Sequence, residues 1–154
     1  MKFVVDCMLG KLAKWLKILG FDVLYFPKAE DDELLELAEK EHRVLLSRDN
    51  ALLARLKKER KLFVESEGWE DQVRQVLREF DLWEEAEPFS RCVECNVRMR
   101  SLPKPRAANL VAPFVYESAR SFALCPRCGK IFWQGTHFDD MEIKLKDILK
   151  KEKN

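Results

Sequence analysis

The chain has 154 residues, of which 47% are hydrophobic and 36% charged, which suits one ordinary domain or two small ones with a buried core. It contains no run of about 18 apolar residues and no signal-peptide pattern, so we expect a soluble, cytoplasmic protein without membrane partners. Residues 1–90 contain 15 Lys and Arg against 20 Asp and Glu, whereas residues 91–154 contain 13 against 7. An acidic half beside a basic half predicts a metal site in the first and an anionic partner for the second.

The first predicted elements are a buried strand at residues 3–5 and an amphipathic helix, with Asp6 between them. The apolar face of the helix is formed by residues at helical spacing: Leu9, Leu12, Trp15, Leu16 and Leu19. Gly20 is suited to end this helix. In an open parallel sheet, ligands bind in the crevice outside the carboxyl ends of the strands. Asp6 is therefore predicted to lie at a ligand-binding position, with Lys11 and Lys14 close enough in sequence to contact a phosphate.

Strands and helices continue to alternate up to residue 80. Further strands are predicted at residues 23–26, 44–47 and 62–64. One helix is predicted to begin in the acidic cluster 30–33, a second to contain Leu52, Leu53 and Leu56 and become basic at Lys57, Lys58, Arg60 and Lys61, and a third to cover residues 69–80. This alternation predicts an α/β domain at about residues 1–85, with a mostly parallel sheet flanked by helices. The acidic segment 81–88 ends in proline and is predicted to be a linker.

The composition of the chain changes at residue 91, after which cysteines occur in pairs and prolines cluster. Short strands are predicted at residues 114–116 and 131–133. A final amphipathic helix is predicted at residues 141–151, which offers Ile143, Leu145, Ile148 and Leu149 for packing. We therefore expect a second, small β-rich domain with a C-terminal helix over residues 91–154.

Four of the five cysteines form two Cys-x-x-Cys pairs, Cys92 with Cys95 and Cys125 with Cys128. Two such pairs can make a closed tetrahedral Cys₄ zinc site that has no open coordination position, so one structural zinc ion is predicted. The 29 residues between the pairs exceed the common spacing, and we expect a β-hairpin to accommodate the excess. The alternative is two redox pairs or disulfides, which a cytosolic setting disfavours.

Three other residues have side chains capable of metal or thiol chemistry. Cys7 is left outside the two pairs and is predicted to be a buried, inert thiol. His42 and His137 are predicted to be surface or packing residues rather than metal ligands.

Carboxylates follow three consecutive predicted strands: Asp6 after the first, Asp31 or Asp32 after the second, and Asp49 after the third. Each alone is also explained as a helix N-cap or a first-turn acid. All three are expected at one edge of the sheet, where their mutual repulsion would be relieved by a divalent cation such as Mg²⁺ or Mn²⁺. Such an ion can activate water and stabilise charge on a phosphodiester, and Arg48 is close enough in sequence to contact the phosphate.

The sequence resembles the Mut-seven C-terminal RNase domain family, which has a PIN-like fold with an appended zinc ribbon. The motifs that carry the resemblance are FVVDCMLGKLAKWL at residues 3–16, LGFD at 19–22, DDELL at 31–35, LSRD at 46–49, RCVECN at 91–96 and CPRCGKIFWQGTHF at 125–138. They extend over nearly the whole chain. The sequence departs from the family pattern at two points. Residue 47 is serine, where threonine is frequent. The fourth acid that many PIN domains have near a later strand would have to be Glu65, Glu67 or Asp71.

The resemblance implies a metal-dependent ribonuclease in which Asp6, Asp31 and Asp49 bind Mg²⁺ or Mn²⁺ and carry the catalysis. RNA is the expected partner, held through phosphate contacts by the basic ribbon and by cations near the carboxylates. The residues assigned to RNA binding are Lys11, Lys14, Arg48, Arg98, Arg100, Arg127 and Lys130, with Lys104 and Arg106 as further candidates. Trp133 or Phe132 is a candidate for stacking on bases, and ribbon core is the alternative role for at least one of them.

Two other functions are compatible with the same sequence. One is a non-catalytic RNA- or ribosome-binding protein that keeps the fold without efficient chemistry, which the weak match at the fourth acid motivates. The other is a protein-interaction adaptor, which predicts no salt-dependent RNA binding. Binding of a divalent metal by the first domain distinguishes the nuclease from a pure binder, because a binder has no need of the ion.

Overall fold

The computed structural model describes residues 1–150, apart from the side chains of residues 136 and 137. The first half alternates strands and helices as predicted: β1 (Lys2–Val5), α1 (Gly10–Ile18), β2 (Asp22–Tyr25), α2 (Asp31–Lys40), β3 (Val44–Ser47), α3 (Asn50–Leu53), β4 (Lys61–Phe63) and α4 (Trp69–Glu79). The strands form one parallel sheet in the order β2-β1-β3-β4. This order places a topological switch point between β1 and β3, where the chain moves from one side of β1 to the other.

Apolar side chains cover the sheet on both faces, as the continuous hydrophobic strands predict. Phe3, Val5 and Leu46 belong to the core on the side of α1 and α4. Val4 and Leu45 belong to the core on the opposite side, with residues of α2 and α3. Alternate residues of a strand therefore pack in different layers. Because both faces of the strand are buried, the strand is apolar throughout, and apolar content alone identifies it even when it is only four residues long.

The second half contains a smaller antiparallel sheet in the order β5-β6-β7, which is the predicted β-rich region. Its elements are β5 (Arg100–Leu102), α5 (Lys104–Ala107), α6 (Pro113–Ser118), β6 (Phe122–Leu124), β7 (Ile131–Trp133) and α7 (Thr136–Leu149). We call residues 91–135 the ribbon. The mixed α/β class with a parallel sheet, a small second sheet and a C-terminal helix is confirmed.

Two predicted elements are wrong. Residues 114–116 are not a strand but part of α6, where Pro113 occupies the first helical turn and Val115 packs with Ala119 at helical spacing. β5 and β6 do pair between the cysteine pairs, but α5 and α6 connect them in place of a hairpin turn.

The predicted basic helix after residue 50 is also wrong in extent, because α3 ends at Leu53. The basic residues that follow lie in a 3₁₀ turn (Lys58–Arg60) and at the start of β4. The ammonium group of Lys61 donates to the carbonyl oxygen of Leu53 at 2.9 Å and so satisfies one carbonyl at the end of the short helix.

The C-terminal helix packs back on the first half of the chain. Leu145 and Ile148 of α7 are buried in the same core as Phe3, and Arg74 of α4 pairs with Asp147 at 3.0 Å. Ile143, expected to pack, is 67% exposed, and the predicted helix end at residue 151 lies outside the described residues. The division into residues 1–85 and 91–154 stays a prediction.

The predicted linker at residues 81–88 and the residues after it lie along the end of α1. The backbone N–H groups of Glu87 and Phe89 donate to the carbonyl oxygens of Leu19 and Ile18 at 2.8 and 2.7 Å. Gly20 makes this approach possible, since its φ is +95° and a Cβ there would lie 2.4 Å from the Glu87 carbonyl oxygen.

Gly20→Ala is therefore expected to lower the free energy of unfolding by about 1–3 kcal/mol from backbone strain alone, and further through the overlap with Glu87. The measurement is urea unfolding of the purified chain. Gly129→Ala is the matched control, because Gly129 also has a positive φ of 75° but its Cβ would meet no atom within 4 Å. Equal losses in the two variants would contradict the role given to the close approach.

Candidate active site and metal centre

The buried carboxylate of Asp6 lies at the switch point of the parallel sheet. Asp6 follows β1 directly, and its backbone N–H continues the pairing with β3 by donating to the carbonyl oxygen of Leu46 at 3.0 Å. The residue is 7% exposed, and its Oδ2 accepts a hydrogen bond from the Ser47 hydroxyl at 2.7 Å. The carboxylate is thus held in a fixed position at the sheet edge where ligands bind in open α/β folds.

The same serine hydroxyl connects Asp6 to Asp49. Ser47 Oγ accepts from the backbone N–H of Asp49 at 2.9 Å while it donates to Asp6. Asp49 Oδ1 accepts from the N–H of Leu52 at 3.2 Å, so Asp49 is the N-cap of α3, one of the two roles that its sequence position allowed. A single hydroxyl therefore sets the relative position of two of the three predicted catalytic residues.

Asp31 and Asp32 begin α2 but differ in their surroundings. The Asp32 carboxylate pairs with Arg55 at 2.8 Å, and both side chains are largely exposed. Asp31 lies close enough to Cys7 for its charge to contribute to the raised pKa of that thiol, after the larger effects of the Asp6 hydrogen bond, burial and the Asp6 charge. Asp31 is thus the member of this pair whose charge reaches the residue that follows Asp6.

The prediction that Cys7 is buried is wrong, because the structure leaves this residue exposed. Cys7 begins a 3₁₀ turn (Cys7–Leu9) immediately after Asp6, and in that turn Leu9 is the residue that enters the core. The carbonyl oxygen of Cys7 accepts from the Tyr25 hydroxyl at 2.8 Å. The turn therefore directs the thiol toward the carboxylate edge and not into the sheet.

The three aspartates do not form a compact ligand cluster by themselves. Within the described part of the chain, the four paired cysteines are the one group of three or more Cys, His, Asp or Glu residues whose ligand atoms all lie within 4.8 Å of one another. Carboxylates brought closer would repel each other in the absence of a cation. The donor set at the edge nevertheless consists of carboxylate oxygens, the ligands that Mg²⁺ and Mn²⁺ prefer.

The candidates for a fourth acid lie on the side of α4. The side chains of Glu65 and Asp71 line a shallow cleft together with Arg74, and Asp71 pairs with Arg74 at 3.3 Å. Glu67 is exposed in the loop that precedes α4. Arg48 fastens the start of this loop, since its guanidinium donates to the carbonyl oxygens of residues 65 and 66 at 3.0 and 2.6 Å.

The four paired cysteines come together in two turns of the same geometry, which we call the first knuckle (residues 92–96) and the second knuckle (residues 125–129). In each, the first cysteine N–H donates to the carbonyl five residues later, and its carbonyl accepts from the N–H four residues later. The residue after the second cysteine has a positive φ in both knuckles: 65° at Asn96 and 75° at Gly129.

This arrangement fits one tetrahedral zinc ion. The sulfur atoms of Cys92 and Cys128 are 3.9 Å apart, close to the separation of about 3.8 Å that Zn–S bonds of about 2.3 Å produce in a tetrahedron. The Cys128 N–H donates to Cys125 Sγ at 3.5 Å. Although burial opposes it, the N–H groups of Cys128 and Arg127 lower the pKa of Cys125 to about 7, while burial and the neighbouring thiols raise the pKa of Cys95 to about 12.

The first knuckle is attached to β2, the outer strand of the parallel sheet, and to the end of α1. The Asn96 side chain accepts from the N–H of Val23 at 2.9 Å and donates to Asp22 at 2.7 Å. Arg91 donates to the carbonyl oxygen of Gly20 at 2.9 Å, and Lys17 donates to that of Val93 at 3.2 Å. The metal centre is therefore attached to β2 and to the end of α1. The part that Asn96 plays in this attachment cannot be inferred from the spacing of the cysteines alone.

The residues predicted to bind RNA are spread over both halves of the surface. The Lys11 ammonium lies 5.6 Å from the centre of the Trp69 ring, and Lys14 is exposed on α1. Arg98 pairs with Glu87 at 2.8 Å, and Lys130 pairs with Glu94. The remaining ribbon candidates are exposed: Arg100 on β5, Lys104 and Arg106 in α5, and Arg127 in the second knuckle.

Both histidines were predicted to be surface or packing residues. His42 lies exposed at the surface, as expected, with Nδ1 2.6 Å from a guanidinium nitrogen of Arg60. The prediction for His137 concerns a side chain outside the described residues.

Comparison with protein-family models finds the Mut7-C RNAse domain, whose model matches residues 1–145 and therefore nearly the whole chain. No curated protein and no solved structure matches. No helix in the described part of the chain is both long and apolar enough to cross a lipid bilayer. The family match agrees with the resemblance carried by the sequence motifs.

Proposed function

The chain belongs to the Mut7-C RNAse domain family, and on that premise we propose that it is a divalent-metal-dependent ribonuclease that hydrolyses RNA phosphodiester bonds. The observation that carries the proposal is the Ser47 hydroxyl, which bonds the buried Asp6 carboxylate and the Asp49 backbone at the switch point of the sheet. A capping role explains Asp49 alone. It does not explain a buried carboxylate beside it at the position where α/β folds bind ligands.

In the proposed site, Asp6, Asp31 and Asp49 would hold Mg²⁺ or Mn²⁺. Such an ion, when bound, would supply Lewis-acid stabilisation of charge on the phosphate and would lower the pKa of a water molecule. Ser47 positions Asp6 by its hydrogen bond, and the cap to Leu52 orients Asp49. Lys11 and Lys14 lie on α1, which begins after Asp6, and would contact phosphates of the bound RNA strand.

The zinc ion is proposed to be structural, because four thiolates leave a tetrahedral ion no open position. The ribbon would supply further phosphate contacts, including those from the exposed Arg100 and Arg127. RNA as the substrate, a cytoplasmic location and the two-domain division at residues 1–85 and 91–154 belong to this proposal. Assignment of Arg48 to phosphate binding also stays a prediction, since its described bonds reach the backbone.

The decisive experiment measures cleavage of labelled single-stranded and structured RNAs with Mg²⁺ or Mn²⁺. The unaltered chain is compared with Asp6→Asn and Asp49→Asn, after zinc content and melting temperature are shown to agree. Since loss of residues that only support metal ligands costs about 10–100-fold, we expect losses above about 100-fold in each variant.

Cleavage that survives in both variants would place the activity elsewhere and overturn the assignment. Absence of cleavage by every form, with salt-sensitive RNA binding intact, would indicate the non-catalytic RNA- or ribosome-binding protein instead.

A further inference from the structure

An apolar cavity of about 310 Å³ lies between α1 and the ribbon. Aromatic and aliphatic side chains from both halves form most of its wall, among them Phe89, Val93, Met99, Phe132, Trp133 and Phe138. The rings of Phe89 and Phe138 pack against each other with centroids 4.2 Å apart. The ring of Trp133 is accessible, since this residue is 45% exposed on β7.

The backbone around this cavity is held in a costly conformation. Phe89 has a φ of +64°, a region that branched and bulky residues seldom occupy, and its N–H is fixed to the carbonyl oxygen of Ile18 at 2.7 Å. The strained residue places its ring in the wall of the cavity. Strain of this kind is concentrated at binding sites in proteins.

The charged residues of the wall have one sign. Lys14 and Arg91 are among its lining residues, and no acidic residue is found in the lining that the structure describes. Arg91 is bonded to the carbonyl oxygens of Gly20 and Asn96, whereas Lys14 is exposed. An apolar, aromatic cavity with an exposed lysine in its lining is complementary to a planar heterocycle attached to an anion.

Helix α1 connects the candidate active site to the cavity, since it begins shortly after Asp6 and contributes Lys14 and Ile18 to the lining. Lys11 and Lys14 are one turn apart on α1, a rise of about 4.5 Å, and α1 begins shortly after Asp6. A strand whose scissile phosphate lies at Asp6 can follow these lysines toward the cavity. The volume is at the lower end of the range of about 300–1000 Å³ for ligand pockets, which suits one small planar group and not a helix or a folded peptide.

We propose that this cavity binds one unstacked nucleobase of a single-stranded RNA, with Trp133 against the base and Lys14 at an adjoining phosphate. The inference rests on the proposed RNA substrate and adds to it a requirement for an unpaired base at a fixed distance from the cleaved bond. A duplex would not satisfy this requirement, because its bases are stacked and paired.

The test measures affinity for a short labelled single-stranded RNA by fluorescence anisotropy. The zinc-loaded full chain carries Asp6→Asn and Asp49→Asn and receives no added divalent metal. Trp133→Ala and Lys14→Ala are introduced into this parent, and Phe114→Ala is the matched control, because Phe114 is a 73% exposed aromatic residue of α6 outside the cavity lining. Each RNA is also made with an abasic nucleotide at successive positions.

We expect Trp133→Ala to weaken binding by about 5-fold or more, the lower end of the effect of losing one stacked base. One abasic position should weaken binding by the parent to a similar extent and have no further effect on the Trp133→Ala variant. Lys14→Ala should flatten the dependence of log K on log salt by about 0.7, as for one phosphate contact on a single strand. Phe114→Ala should bind like the parent.

Equal affinities of the Trp133→Ala and Phe114→Ala variants, or tolerance of an abasic nucleotide at every position, would overturn the base site. Both results leave the cleavage experiment unaffected, so failure of this inference is distinguishable from failure of the nuclease assignment. Unchanged RNA affinity in all variants would instead favour a protein ligand for the cavity.

Discussion

Asp31→Asn is expected to reduce metal-dependent RNA cleavage by more than about 100-fold, whereas Asp32→Asn should leave the rate close to that of the unaltered chain. The two residues are adjacent aspartates, both in the first turn of α2. The Asp32 carboxylate is paired with Arg55, while the charge of Asp31 reaches Cys7, the residue after Asp6. The measurement is the initial rate of RNA cleavage at saturating Mg²⁺ or Mn²⁺.

The Asp31 and Asp32 variants control for each other, since each removes one negative charge from the same helix end and loses the same favourable interaction with the helix dipole. Any general effect on α2 should appear in both melting temperatures. Cleavage lost in the Asp32 variant and kept in the Asp31 variant would reverse the ligand assignment. Cleavage kept in both would remove α2 from the site.

The parallel sheet was predictable because its strands are covered on both faces. All four predicted strands match observed ones to within a residue or so, and continuous apolar runs such as Phe3–Val5 need no alternation to be identified. The same criterion fails at residues 114–116, where a run of three apolar residues fits a strand or one helical turn equally well. There Pro113 and the spacing of Val115 and Ala119 favour the helix.

From the sequence, the site could be predicted only as far as identifying the strands that are followed by acidic residues. The bond between Ser47 and Asp6 depends on the register that pairs Val5 with Leu46, and a register is a property of two strands that neither segment encodes alone. The choice between Asp31 and Asp32 depends on about 100° of rotation around the axis of α2. The exposure of Cys7 likewise depends on a single 3₁₀ turn that follows β1.

Cys125→Ser is expected to prevent zinc binding and to unfold the ribbon, with a loss above about 4 kcal/mol, because a structural metal site contributes its binding free energy to folding. The parallel sheet should be destabilised as well, since the first knuckle, which binds β2 and α1, would lose its shape. The measurements are zinc content and hydrogen exchange of the Val23 amide, which is bonded to Asn96. The Asp6 amide, bonded to Leu46 within the sheet, is the internal reference.

Asn96→Gly separates attachment of the knuckle from binding of the metal. Glycine tolerates the positive φ of residue 96 and already occupies the equivalent position of the second knuckle, so the variant should retain zinc. It removes the bonds to Val23 and Asp22, each worth about 0.5–1.5 kcal/mol, and should therefore destabilise the sheet by about 1–3 kcal/mol and increase exchange at Val23. A sheet as stable in both variants as in the unaltered chain would mean that the stability of the sheet does not depend on the ribbon. If the sheet is destabilised in both variants and zinc is lost only from Cys125→Ser, the metal centre acts through the side chain of Asn96 to stabilise the parallel sheet that Asp6 follows.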